Sequence, residues 1–196
     1  MKTSKSFFLI VLVAMFLAIG LSSCALDANK KSIVGTWTHS QSYTEWSDDG
    51  FGNIEILYEG AITYTDAGIA IEKGRFTYSI TITDEESFLE GAIITLKYNL
   101  SVLGTYSVSN TTLTEKGKDV DISFVSADTN LPNGNNGAKQ ELIKSYRRVF
   151  EQNVNAEIKK ALYDNNISEI INISETKMIL KDSEGEVTEY YKYYER

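Results

Sequence analysis

The chain has 196 residues, with 19 lysines and arginines against 27 aspartates and glutamates for a formal net charge of −8, and holds one histidine, one cysteine and one proline. That acidity argues against nucleic acid and against electrostatic docking on anionic lipid head groups. The single cysteine excludes an internal disulfide, and with a single histidine it excludes zinc sites built from clusters of the two. Residues 1–23 read as a secretory signal peptide: Lys2 and Lys5 give a positive start, Phe7 to Ile19 is an apolar run of 13 residues, and the small Ser22 and Ser23 follow. The run falls short of the roughly 20 residues that span a bilayer. Its removal, with its two lysines, leaves 173 residues and a formal net charge of −10, the size of one ordinary domain.

Leu21, Ser22, Ser23 and Cys24 resemble the bacterial lipobox. The resemblance implies that Cys24 becomes the first residue of the mature chain, carries diacylglycerol on sulfur and an acyl chain on nitrogen, and holds the protein at the outer membrane, with Ala25 rather than aspartate behind it. Several acyl chains give a stable anchor where one is marginal. Residues 24–31 are short, polar and without pattern, and read as the tether between the lipid and a domain over 32–196.

From Ile33 to about Val125, β-branched and aromatic residues dominate, cut by turn signals every eight to twelve residues, the pattern of an antiparallel barrel or sandwich. Phe76, Tyr78, Ile80 and Ile82 alternate with hydroxylic residues, and Ile94 to Val102 and Val120 to Phe124 repeat the device, so each strand buries one face. Turns are expected at Thr65 to Gly68, Glu72 to Gly74, Ser109 to Thr111 and Glu115 to Lys118, and a long loop between Trp46 and Asn53. Short links imply a meander.

A proline- and glycine-bearing loop over 128–137 ends this region. Beyond it, Leu142, Tyr146, Val149, Phe150, Val154, Ile158 and Leu162 recur at three- and four-residue spacing and predict a helix over about 138–163, with a break near Asn153 to Asn155. The segment 174–194 predicts a final hairpin turning at Ser183 to Gly185. The expected fold is mainly β: an antiparallel meander closed as a barrel, with one long helix before the final hairpin.

Gly35, Thr36 and Trp37, preceded by Ile33 and Val34, resemble the opening motif of lipocalins, and Leu103 to Val108 with the closing Tyr193 to Arg196 are similar to bacterial lipocalin-like lipoproteins. The resemblance implies a lipocalin-like barrel in which Gly35 lets the chain bend, Trp37 plugs one end, and an arginine stacks on the tryptophan. Arg196 is the candidate for that arginine, with Arg75 second. A typical lipocalin places its helix after eight strands, which this chain does not.

A barrel of about eight strands is either filled by side chains or holds one small ligand. Tyr58, Tyr64, Tyr191 and Tyr193 are the candidate pocket residues, since their hydroxyls can orient a polar group. No catalytic device is visible. His39 is the sole histidine, no glycine-flanked serine elbow or phosphate loop exists, and Asp48, Asp49, Asn53 and Glu55 lack EF-hand spacing and read as a solvated loop. The expectation is a non-enzymatic protein without metal or cofactor, bound to the membrane by lipid and carrying a small, partly apolar ligand or glycan. The alternative is an interaction, inhibitor or accessory protein with a filled barrel that contacts an envelope protein through its loops or helix.

Overall fold

The computed structural model describes residues 32–47, 52–83, 89–131 and 136–194. The signal peptide, Cys24 and the tether lie outside them, as do Asp48, Asp49 and Arg196. Eight strands form one closed antiparallel meander in which each strand pairs with its neighbour in sequence and β8 returns to β1. The strands are β1 (Gly35–Ser47), β2 (Gly52–Tyr64), β3 (Ile69–Thr81), β4 (Ile93–Ser109), β5 (Thr112–Thr129), β6 (Asn165–Ile173), β7 (Lys177–Lys181) and β8 (Val187–Lys192). Between β5 and β6 stand two helices, α1 (Asn136–Gln152) and α2 (Val154–Tyr163), broken at Asn153 as the sequence predicts.

The alternation read from the sequence is the one observed. Along β4 every even-numbered residue from Ile94 to Val108 is buried and faces the interior. Three expectations need correction. Ser47 and Gly52, expected in the loop, end β1 and begin β2 and pair with each other, and residues 48–51 lie outside the described residues. Glu72 to Gly74 and Glu115 to Lys118 are not turns; they run through the middle of β3 and along β5. A strand, β6, follows the helices before the final hairpin, so three strands rather than two close the ring.

The barrel closes by different means at its two ends. β1 to β5 are 13 to 18 residues long, whereas β6 to β8 are five to nine. β6 pairs with β5 only over Thr112 to Lys116, and β8 with β1 only at Trp37 and Thr38. One end is thus a full ring packed around Trp37, Tyr64, Leu113 and Met178, all at most 1 % exposed. At the other end the helices stand in for the missing strands. Leu142, Tyr146 and Phe150, spaced by four, lay one face of α1 on Tyr78 and Tyr98, and Val154 and Ile158 of α2 continue the contact. The buried Asn155 accepts from the Tyr78 hydroxyl at 3.2 Å, and Arg147 lies 3.8 Å over the Phe124 ring.

Two bulges in β5 decide which residues face inward. The register with β4 slips at Lys97/Tyr98 and at Leu103/Gly104, leaving Val125 and Lys118 without partners. Each extra residue reverses the parity of the strand. Leu113, Glu115 and Gly117 therefore point inward on odd numbers, and Val120, Ile122 and Phe124 on even ones.

Candidate functional site

Trp37 forms the floor of the interior. It is fully buried, its indole Nε1 donates to the Ile33 carbonyl at 2.7 Å, and a cation lies over its ring. That cation is Lys192, with Nζ 4.2 Å from the ring centroid, donating also to the Val34 carbonyl at 2.5 Å. Burial pulls the Lys192 ammonium down from its ordinary pKa. Gly35 makes the arrangement possible: its φ of +125° favours glycine, and a Cβ there would collide with the Lys192 ammonium. The second arginine candidate, Arg75, stands exposed on β3, opposite Glu59 of β2, and takes no part.

Above the floor lies a cavity of about 410 Å³ between the inner faces of β1 to β5 and α2. Its walls are apolar at Ile56, Ile62, Phe76 and Leu100 on the strands and at Ile158 and Leu162 on the helix. A polar group occupies one side. Glu72 of β3 accepts from the Tyr58 hydroxyl at 2.5 Å, and Glu115 of β5 accepts from the Tyr64 hydroxyl at 2.8 Å. His39 of β1 sets Nε2 3.4 Å from the Glu72 carboxylate and packs its ring between Tyr58 and Tyr190, at centroid distances of 5.1 and 4.5 Å. The Tyr58 ring lies across Gly60 and Gly74, a cross-strand glycine pair at which any Cβ would strike it. The two glycines thus let the hydroxyl reach Glu72.

The electrostatics of this group are lopsided. No lysine or arginine lines the cavity among the described residues, while two carboxylates do. Desolvation pushes the Glu115 carboxyl up to about 7; the Tyr64 hydrogen bond opposes that rise and the charge of Glu72 adds to it. Desolvation followed by the neighbouring carboxylates drives the Tyr58, Tyr64 and Tyr190 phenols well above their usual value, so all three stay neutral donors. No trio of His, Cys, Asp or Glu among the described residues is placed to hold a metal ion.

A second cavity, of about 500 Å³, shares Gln41, Tyr43, Glu115 and Tyr190 with the first and reaches the exposed turn at Asp182 to Glu184. It opens beside the seam where β1 and β8 part beyond Thr38. Across that gap Gln41 Nε2 donates to the Thr188 hydroxyl at 2.5 Å.

Of the four candidate tyrosines, the structure brings Tyr58 and Tyr64 together inside and leaves Tyr191 and Tyr193 outside, 50 % and 54 % exposed. Register is the reason. Trp37 pairs with Lys192, which puts the even-numbered residues of β8 inward and makes Tyr190 the pocket residue. Tyr191 instead donates to Glu189 at 2.6 Å on the outer surface. Sequence reasoning missed Glu72, Glu115 and Tyr190. The parity of Phe76 and Tyr78, carried back along β3, points Glu72 inward, whereas the Lys118 bulge hides Glu115 from the same argument.

No protein-family model matches the chain, and no curated protein is similar to it at a significant level.

Proposed function

We propose that this chain is a bacterial envelope lipoprotein, held at the outer membrane by lipid on Cys24, whose lipocalin-like barrel carries a small, partly apolar ligand. The cavity carries the reading. Its volume of about 410 Å³ lies within the range of roughly 300–1,000 Å³ typical of small-molecule sites, and it joins apolar walls to a few convergent polar groups. The accessory-protein alternative would be favoured by a tightly packed barrel with the apolar helix stripe left exposed; here Leu142, Tyr146, Val154 and Ile158 pack against the barrel, while Val149 of the same stripe is 48 % exposed. Nothing in the polar group sets up a nucleophile with its base, which weighs for carriage over catalysis.

Two outcomes check this function. Leu100, 4 % exposed, lines the cavity, and Leu100→Trp should fill it. The variant should keep its circular dichroism spectrum and bind the neutral apolar fluorophore N-phenyl-1-naphthylamine about tenfold less tightly than the unaltered chain, at an overpacking cost of about 1–3 kcal/mol. Unchanged affinity would place the ligand elsewhere. Cys24→Ala should abolish incorporation of labelled palmitate in cells and leave the chain unprocessed; persisting label would refute the anchor.

A further inference from the structure

We infer that the cavity takes a ligand whose apolar body carries a protonated amine, seated between Glu72 and Glu115. The inference rests on the ligand-carrying reading above and names the chemistry that the interior would recognise.

Charge in the cavity lining is unbalanced: Glu72 and Glu115 face it and no described cation does. The hydroxyls of Tyr58 and Tyr64 are spent on the two carboxylates, one each. An ionised carboxylate has about four acceptor sites, so both retain unused capacity. His39 stands beside them, its side chain only 6 % exposed and its Nε2 3.4 Å from the Glu72 carboxylate. The described residues that line the cavity contribute no cation. Two carboxylates with spare acceptor capacity and no cation in the described lining ask for an occupant rich in N–H and positively charged. A carboxylate or phosphate ligand would meet repulsion from Glu72 and Glu115 with no cation in the lining to answer it, only neutral donors such as Tyr190, Gln41 and Asn166. A neutral alcohol would offer one hydrogen where an ammonium offers three.

The apolar part of the ligand has its place as well. Phe76, Leu100, Ile158 and Leu162 line the same cavity. An arylalkyl or alkyl amine therefore matches both halves of the lining, while a bare inorganic cation would leave the apolar walls unused.

The test is calorimetry on the purified mature domain with 2-phenylethylamine and its neutral counterpart 2-phenylethanol. The amine should bind about tenfold or more tightly than the alcohol, because charge-assisted hydrogen bonds to buried acceptors discriminate strongly. Glu72→Gln and Glu115→Gln keep an oxygen to accept from Tyr58 and Tyr64. Each should cost the amine about tenfold in affinity and leave the alcohol within about twofold, whereas Glu169→Gln on the outer face of β6 should change neither. Amine binding at pH 7 should also release up to about half a proton, since a cation beside Glu115 favours its ionised form, in the company of Tyr64 on β2, Glu72 on β3 and Tyr190 on β8. Glu115→Gln should abolish that release. Equal affinity for amine and alcohol, or full amine affinity in both glutamine variants, would overturn the inference and leave carriage standing so long as N-phenyl-1-naphthylamine still binds. Failure of amine, alcohol and fluorophore together would overturn both.

Discussion

Trp37→Ala should lower the unfolding free energy by about 3–5 kcal/mol, the largest loss expected from any single substitution in the barrel. Three contributions meet in this side chain. The indole is fully buried among Ile62, Tyr64 and Met178 at the end where the ring is complete, so truncation leaves a void that neighbours on opposite strands cannot collapse to fill. Its Nε1 donates to the Ile33 carbonyl, and the loss leaves that acceptor without its buried partner. Lys192 also loses the ring beneath its ammonium, in a setting already costly for a charge. Domains of this size are stable by about 5–15 kcal/mol in all, so the variant should melt roughly 10 °C lower by circular dichroism. Trp37→Phe separates the contributions: it keeps most of the packing and forfeits the hydrogen bond, and should fall between the two. An alanine variant melting within about 2 °C of the unaltered chain would show that the indole is not what holds the floor together.

The second large effect is a pH dependence of stability set by Glu115. Its folded pKa of about 7 lies above the ordinary carboxylate value of 4.5, so the folded state holds this proton more tightly than the unfolded chain does. The resulting stabilisation is fully present below about pH 4.5 and is lost as pH rises through 7. At about 1.4 kcal/mol for each pKa unit, the whole change is about 3 kcal/mol. The groups facing the carboxyl are Tyr64 on β2, which favours its ionised form by donating, and Glu72 on β3 and Tyr190 on β8, which interact with it electrostatically. Glu115→Gln removes the titration. Chemical denaturation at pH 5 and pH 8 should show the unaltered chain losing stability between the two while the variant loses much less, making the variant the more stable at pH 8. Parallel curves for the two proteins would assign the pH dependence to other groups.

Much of the fold was legible because strand periodicity is a local property. Phe76 to Ile82, Ile94 to Val102 and Val120 to Phe124 announce their faces within a few residues, and the apolar spacing from Leu142 to Leu162 announces an amphipathic helix with its break. β6 was not legible, because Asn165, Asn166 and Ser168 dilute it and six of its nine residues lie exposed, so no clean two-residue pattern survives. The polar site was obscured for a related reason. Glu72 beside Lys73 and Gly74, and Glu115 beside Lys116 and Gly117, have the composition of turns, and only the pairing of β3 and β5 with their neighbours shows them to be strand interiors. A charged residue that faces into a barrel breaks the rule that makes strands readable. The residues best suited to binding were thus the ones most easily taken for loop.

The sparse join between β1 and β8 also has a kinetic meaning. Links from β1 through β5 are local hairpins, each able to form early, whereas the Thr38 hydroxyl meets the Tyr191 carbonyl across 153 positions of sequence. Contacts of such long range bear the largest loop-closure entropy and slow folding. Closing the ring bears that entropy cost, and its β1 to β8 join has the fewest paired residues in the barrel, held besides by the side-chain bonds of Thr38, Gln41 and Lys192. The join that is hardest to close is therefore also the one expected to open first in native-state hydrogen exchange.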